Sequence, residues 1–232
     1  MSPNSSDPTA TQATASGVKL TAHNQYKAER LLAGDMPADP IQYFKDWLEA
    51  ALHGPYPVKE PEAMVLSTAT ASGVPSSRVV LLKEVDDRGF IFFTNYDSRK
   101  GHELAENPVA ALSFHWKETS KQVRAVGRVE KLSREESQAY FDSRPRGSRI
   151  GAWASEQSQP VGEEELAQRV HEFEKKFEGQ EQVPCPPHWG GFRLVPFELE
   201  FWAGQPSRLH DRFRYSRLKD GEGKWDVNRL AP

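Results

Sequence analysis

One cysteine, Cys185, stands alone among 232 residues. That excludes an internal disulfide framework and any cysteine-rich zinc site, and it suits a reducing, cytoplasmic setting. The chain lacks any run of about 18 apolar residues, which excludes a transmembrane helix, so no membrane partner is expected. It also lacks a dominant charge sign. Its 30 Lys and Arg against 33 Asp and Glu leave a formal net charge of −3. Dedicated nucleic-acid binders usually carry a strongly basic face, so nucleic acid is not an expected partner. Absent too are a Gly-rich dinucleotide fingerprint, a phosphate loop ending in Lys-Ser/Thr, and paired histidines at metal-ligand spacing. No metal site is expected from the seven scattered histidines. No nucleophile–base pair is legible, which favours cofactor chemistry in which the protein binds and orients.

Residues 1–19 are rich in Ser, Thr, Ala and Pro and poor in large apolar side chains. Such a segment buries too little surface to offset its ordering entropy, so it reads as a disordered tail. It has neither the apolar core of a secretory signal nor the arginines of a mitochondrial transit peptide. Residues 20–232 read as a single domain. Asp39-Pro40 opens a helix with Ile41, Phe44, Trp47, Leu48, Ala51 and Leu52 on one face. From Ala63 short β-like runs take over: 63–70, 77–85, 90–94, 109–116 and 122–132, with Asp86-Asp87-Arg88-Gly89 as a hairpin turn. Along 122–132, Val123, Ala125, Gly127 and Val129 share one face. Later runs are 191–195, 197–202, 208–215 and 225–230. Ser98 or Asp97 caps one intervening helix, Ser133 to Glu136 is a capping box, and Leu166, Val170, Phe173 and Phe177 make an amphipathic helix. The pattern predicts an α+β fold, mainly antiparallel β, built on a barrel or sandwich with peripheral helices.

Cations stand where structure alone gives them no reason to be. Arg99 and Lys100 fall in the first turn of the helix after Ser98, where they oppose the helix dipole unless an anion binds. Tyr140, Ser143, Arg144, Arg146, Ser148 and Arg149 surround Pro145 and Gly147, a set of hydroxyls and guanidiniums suited to phosphate oxygens. On a strand, Arg208, His210 and Arg212 share a face, and Arg78 and Lys83 bracket the apolar run 79–82. Each group read alone also fits a solvated surface. Together they imply a ligand with more than one anionic group, or two phosphorylated ligands side by side. Trp202, Phe93 and Trp116 offer flat walls for it, or plain barrel core.

From about Asp39 to Pro232 the sequence resembles the pyridoxine/pyridoxamine 5′-phosphate oxidase family. The strongest element is Leu199-Glu200-Phe201-Trp202 followed by Arg208-Leu209-His210-Asp211-Arg212. Supporting it, in order, are the strings at 78–83, Thr94-Asn95 with 98–100, Tyr140-Phe141 with 143–146, 150–153 with Gln157-Ser158, 189–191, and 229–232. The resemblance implies an FMN-binding split β-barrel with Greek-key topology. It implies oxidation of pyridoxamine 5′-phosphate and pyridoxine 5′-phosphate to pyridoxal 5′-phosphate, with O2 as acceptor and H2O2 as product. It also implies a homodimer with two flavin sites at the subunit interface. Position by position, it makes Arg78, Lys83, Phe93, Thr94, Ser98, Arg99 and Lys100 FMN contacts, with Arg99 and Lys100 on the phosphate. Gln122, Gln157, Ser158, Trp202 and Arg212 become FMN contacts from the partner subunit. Lys83, Tyr140, Arg144 and Ser148 become the grip on the substrate phosphate. Arg208 and His210 lie over the substrate ring as the catalytic pair, and Tyr26 belongs to a covering segment. There the arginine that some bacterial members carry three residues before the tyrosine is replaced by His23. Two rivals on the same barrel are a flavin or pyridoxal-phosphate binding protein without oxidase activity, and a reductase using a nicotinamide donor.

Overall fold

The structure is a computed structural model describing residues 11–14, 17–20, 25–218 and 224–232. Most of the expected tail, and His23, lie outside the described residues. Within the tail, β1 (Thr11–Thr14) and β2 (Gly17–Leu20) form a separate two-stranded antiparallel sheet.

α1 (Pro40–His53) starts as the sequence predicts. Asp39 accepts from the N–H of Ile41 at 2.9 Å and of Gln42 at 3.3 Å, and Pro40 occupies the first helical position. Its apolar face enters the core, with Phe44 4.9 Å from both Phe90 and Phe114 and Trp47 5.2 Å from Phe201, centroid to centroid. The rest of the core lies on one face of an antiparallel sheet formed by β3 (Ala63–Ala69), β4 (Pro75–Leu81), β5 (Glu84–Val85), β6 (Phe90–Asn95), β7 (Val109–Trp116), β8 (Lys121–Lys131), β9 (Trp189–Ala203), β10 (Asp211–Arg217) and β11 (Trp225–Arg229). Their order is β11-β10-β9-β8-β7-β3-β4, with β6 added to β9 and β5 to β6. The antiparallel sheet with its peripheral helices matches the expected α+β class.

β9 organises this arrangement. The sequence suggests two strands broken at Pro196; the structure has one strand of 15 residues. Along one edge it pairs with β8. On the other edge its first half pairs with β6 and its second half with β10. Pro196, which has no N–H to donate, sits between those partners at a register shift opposite Val126 and Gly127. A Cβ on Gly127 would lie 2.3 Å from the Val195 carbonyl, so glycine is what lets the backbones close there.

The expected strand 77–85 is also two elements. β4 stays with β3 to Leu81, and Lys83 N–H then bonds the Ile91 carbonyl at 2.9 Å. The chain changes partners there because Leu82 turns into the core at 5% exposure while Leu81 stays 41% exposed. α2 (Arg99–Glu106) is capped by Ser98, and α3 (Arg134–Ser143) opens with the predicted capping box. Helix α4 (Arg146–Ala154) replaces the expected basic loop around Pro145, with Pro145 as its flanking residue. α5 (Glu163–Lys176) covers a second apolar cluster around Phe141, Ile150, Phe177 and Trp189.

Candidate active site

A cleft of about 890 Å³ opens between the β4–β6 edge and helices α3 and α4. Arg78, Lys83, Phe93, Thr94, Lys100, Tyr140, Arg144, Ser148 and Gln157 all line it. It brings together side chains up to 111 positions apart in sequence, from Arg78 to Trp189. Its aromatic wall is a stack: Phe93 lies 3.9 Å from Tyr140 at 19° and 5.5 Å from Trp189 at 14°. Trp116, the other wall considered, is fully buried in the core and donates to the Pro61 carbonyl.

Lys100 is the buried cation of the cleft, at 8% exposure. Its Nζ donates to Gln157 Oε1 at 2.8 Å and Thr94 Oγ1 at 3.2 Å. Burial, with the Arg78 guanidinium nearby, pulls its pKa down to about 8. The first turn of α2 is less open than its sequence suggests. Ser158 Oγ accepts from Arg99 N–H at 3.2 Å, and Ser98 Oγ accepts from Gly101 N–H. Ser158 holds this place with φ 76°.

Beneath these cations lies a residue that the sequence reading missed. Glu103 is 4% exposed. It accepts from Ser76 Oγ at 2.6 Å, Arg99 Nε at 2.9 Å and Thr68 Oγ1, and it pairs with Arg78 at 3.5 Å. Although burial opposes the charge, these donors bring its pKa down to about 2. Arg99 therefore engages Glu103 through its Nε. The available signal was its position four residues after Arg99 on one helix.

On the other side of the cleft, Arg144 stacks over Trp189 at 4.7 Å, and its buried Nη1 has no hydrogen-bond partner among the described residues. Burial lowers its pKa from the ordinary guanidinium value. Only Tyr140, Arg144 and Ser148 of the expected basic group reach the cleft. Ser143 Oγ donates to the Tyr140 carbonyl, Arg146 donates to the carbonyls of Phe177 and Gln180, and Arg149 is not part of the lining. Folding 146–154 as a helix separates side chains that a loop would have let converge.

The remaining candidates gather elsewhere. Gln122, Trp202 and Arg212 are direct neighbours in one row across β8, β9 and β10. Tyr26 and His210 pack on Trp202, at 5.3 Å and 4.6 Å between ring centroids. A Cβ on Gly204 would lie 2.5 Å from Tyr26 Cβ, so glycine there admits the ring. The expectation that Arg208, His210 and Arg212 alternate along one strand fails. Pro206–Arg208 is a tight 3-10 turn with Ser207 and Arg208 at φ 57° and 62°, and β10 begins at Asp211. Leu209 is 67% exposed. His210 Nδ1 accepts from Gln205 N–H at 3.0 Å. Burial, followed by the charges of Arg208 and Arg212, lowers its pKa.

Residues 56–178 match the family model for pyridoxamine 5′-phosphate oxidase, and residues 189–232 match that for the pyridoxine 5′-phosphate oxidase C-terminal dimerisation region. The chain belongs to the pyridoxamine 5′-phosphate oxidase family. It is 55% identical to the pyridoxine/pyridoxamine 5′-phosphate oxidase of Bordetella petrii over 89% of this chain and 96% of that one. It is 57% identical to the namesake from Cupriavidus necator over 85% and 91%. Among solved structures, PhzG from Burkholderia lata, in complex with tetrahydrophenazine-1-carboxylic acid, superposes with a TM-score of 0.80 at 36% identity, covering 88% of this chain and 99% of PhzG. A pyridoxamine 5′-phosphate oxidase-related, FMN binding protein from Nostoc punctiforme shares the fold at a TM-score of 0.65 and 17% identity, over 85% and 100%. Membership in this oxidase family makes the chain an oxidoreductase. No helix among the described residues is long and apolar enough to cross a membrane.

Proposed function

We propose that the chain is an FMN-dependent oxidase that converts pyridoxamine 5′-phosphate and pyridoxine 5′-phosphate to pyridoxal 5′-phosphate. O2 is consumed and H2O2 released; the amine also takes up water and releases ammonia. The observation that carries this reading is the cleft itself. Four cations, Arg78, Lys83, Lys100 and Arg144, line one space beside a flat aromatic stack. Two phosphorylated ring compounds lying side by side need that arrangement.

The residues fit FMN. Lys100 is a buried cation held by neutral oxygens, a position that a phosphate ester relieves. The cleft volume lies in the range of ligand pockets. Arg78, Thr94, Ser98, Arg99 and Lys100 are the residues to hold it, joined by Gln157 and Ser158, which the resemblance assigns to the partner subunit but which here contact Lys100, Thr94 and Arg99 of the same chain. Bound there, FMN supplies two-electron acceptor chemistry and reactivity toward O2.

The protein's own part is positioning. Lys83, Tyr140, Arg144 and Ser148 grip the substrate phosphate, so remote binding energy holds the ring in reacting geometry. His210 has its Nδ1 engaged as an acceptor, so in the neutral ring Nε2 carries the proton and serves as a donor. Arg208 adds a cation beside it, and the Tyr26 ring lies 5.6 Å from the imidazole. Trp189 lines the cleft, and Trp202 lies 13 residues further along the same strand, about 40 Å at the usual rise. One chain cannot bring the two ends of β9 together. A homodimer in which the partner's Gln122, Trp202, Arg208, His210 and Arg212 complete each cleft does so. A cytoplasmic location accords with the single buried thiol.

The test is an absorbance spectrum followed by anaerobic addition of pyridoxine 5′-phosphate. Flavin bands that bleach, then return with air and peroxide, support the reading. Bands that do not bleach refute the substrate. An equal response to unphosphorylated pyridoxine would move the site toward phosphate-free substrates, such as the carboxylic acid in the PhzG complex. A colourless protein that FMN cannot reconstitute refutes the whole.

A further inference from the structure

We infer that Glu103 is a positioning residue: its buried carboxylate sets Arg78 and Arg99 for a phosphate dianion and fixes the net charge of the cradle. The inference rests on the FMN reading above and goes beyond it. Arg78, Arg99 and Lys100 converge at the junction of β4 with the first turn of α2. Three cations that close repel one another unless something holds them. Glu103 does so with both oxygens. Oε1 takes Arg99 Nε at 2.9 Å, while Oε2 takes Ser76 Oγ at 2.6 Å, Thr68 Oγ1, and Arg78 at 3.5 Å. Thr68 Oγ1 also accepts from Arg78 Nη1 at 2.6 Å, and Ser76 Oγ accepts from Arg78 Nη2. The guanidinium is thus fixed from several directions by groups that Glu103 itself orients.

The charge count follows. Three cations and one carboxylate sum to +2, the complement of a phosphate monoester dianion. Without the carboxylate the sum is +3, but the arginines lose their fixed directions. Charge and orientation therefore make opposite predictions for loss of Glu103, which lets an experiment separate them. A stabilising role alone makes a third, since loosening the fold weakens every ligand of the cleft alike.

The experiment measures FMN and riboflavin binding to the full chain stripped of flavin, by quenching of flavin fluorescence. The two ligands differ only by the phosphate. For Glu103→Gln we expect the dissociation constant for FMN to rise about tenfold or more, the loss of oriented charge-assisted hydrogen bonds. That for riboflavin should change by less than about twofold, so the preference for FMN collapses. Tighter FMN binding would mean that net charge alone matters and overturns the inference. Equal weakening of both ligands would make Glu103 merely structural and overturns it too. Should Glu103→Gln fail to fold, Ser76→Ala loosens the carboxylate and Arg78 while leaving all four charges. It should reduce the FMN-to-riboflavin preference about threefold, and an unchanged preference refutes the inference. A wild-type chain that binds neither flavin refutes the FMN reading instead, so the two failures are distinct.

Discussion

Replacing Arg144 with methionine separates binding from stability at one side chain. Arg144 is half-buried, stacks over Trp189 at 4.7 Å and Phe141 at 5.6 Å, and leaves Nη1 buried without a partner among the described residues. Methionine keeps much of that length and its contact with the rings but removes the charge. If Nη1 awaits a substrate phosphate oxygen, the substitution deletes at least one charge-assisted hydrogen bond, worth about 1.5–3 kcal/mol. That converts to a loss of about 10- to 150-fold in kcat/KM for pyridoxine 5′-phosphate. Stability should move the other way or not at all, because an unpaired buried donor costs free energy in the empty protein. Steady-state kinetics by peroxide release, FMN titration, and a thermal melt of the flavin-free chain provide the assay. FMN affinity should stay within about twofold, since Arg144 is assigned to the substrate phosphate. A melt lowered by several degrees with kcat/KM unchanged would falsify the assignment and make Arg144 a packing residue.

Further outcomes can be checked independently. Lys100 loses its proton near pH 8 in the flavin-free chain, so FMN affinity should fall as pH rises through 8, and Lys100→Met should flatten that limb. Because its folded pKa lies below the unfolded 10.5, the unfolded chain binds more protons between pH 8 and 10.5. Lys100 should thus make the flavin-free fold more stable as pH climbs through that window, which denaturation midpoints of wild type against Lys100→Met would read. Asp211 is fully buried and accepts from Arg30 at 2.6 and 3.0 Å, Arg229 at 2.8 Å and Leu31 N–H at 3.2 Å. Asp211→Asn should cost about 2–3 kcal/mol, moderated because both arginines are half-exposed, or about 4–12 °C in the melt. If clefts are completed across a dimer, mixing inactive Lys100→Met with inactive Arg212→Ala should restore about a quarter of wild-type activity after random subunit exchange. No recovery, with exchange shown by mass spectrometry, would place both residues in one subunit's site.

What the sequence determined by itself is mostly local. The Asp39 cap, the Ser133 capping box, the Ser98 helix start and the alternation along β8 follow from side-chain rules acting within a few residues, and all appear in the structure. The family strings were legible because they are short and occur in a fixed order. Tertiary structure decided matters that depend on partners far along the chain. Pro196 breaks no strand because β9 changes neighbours there and needs no donor. Residues 146–154 become a helix because Ile150 and Ala152 have an apolar cluster to enter. Arg208 leaves the strand because the chain must turn back from β9 into β10, and the left-handed Ser207 and Arg208 make that turn. In the sequence, Glu103 is one acid on a short charged helix. Its role became visible only when folding brought Thr68, Ser76 and Arg78 from two strands around one carboxylate, because burial and convergence belong to the fold and not to any stretch of sequence.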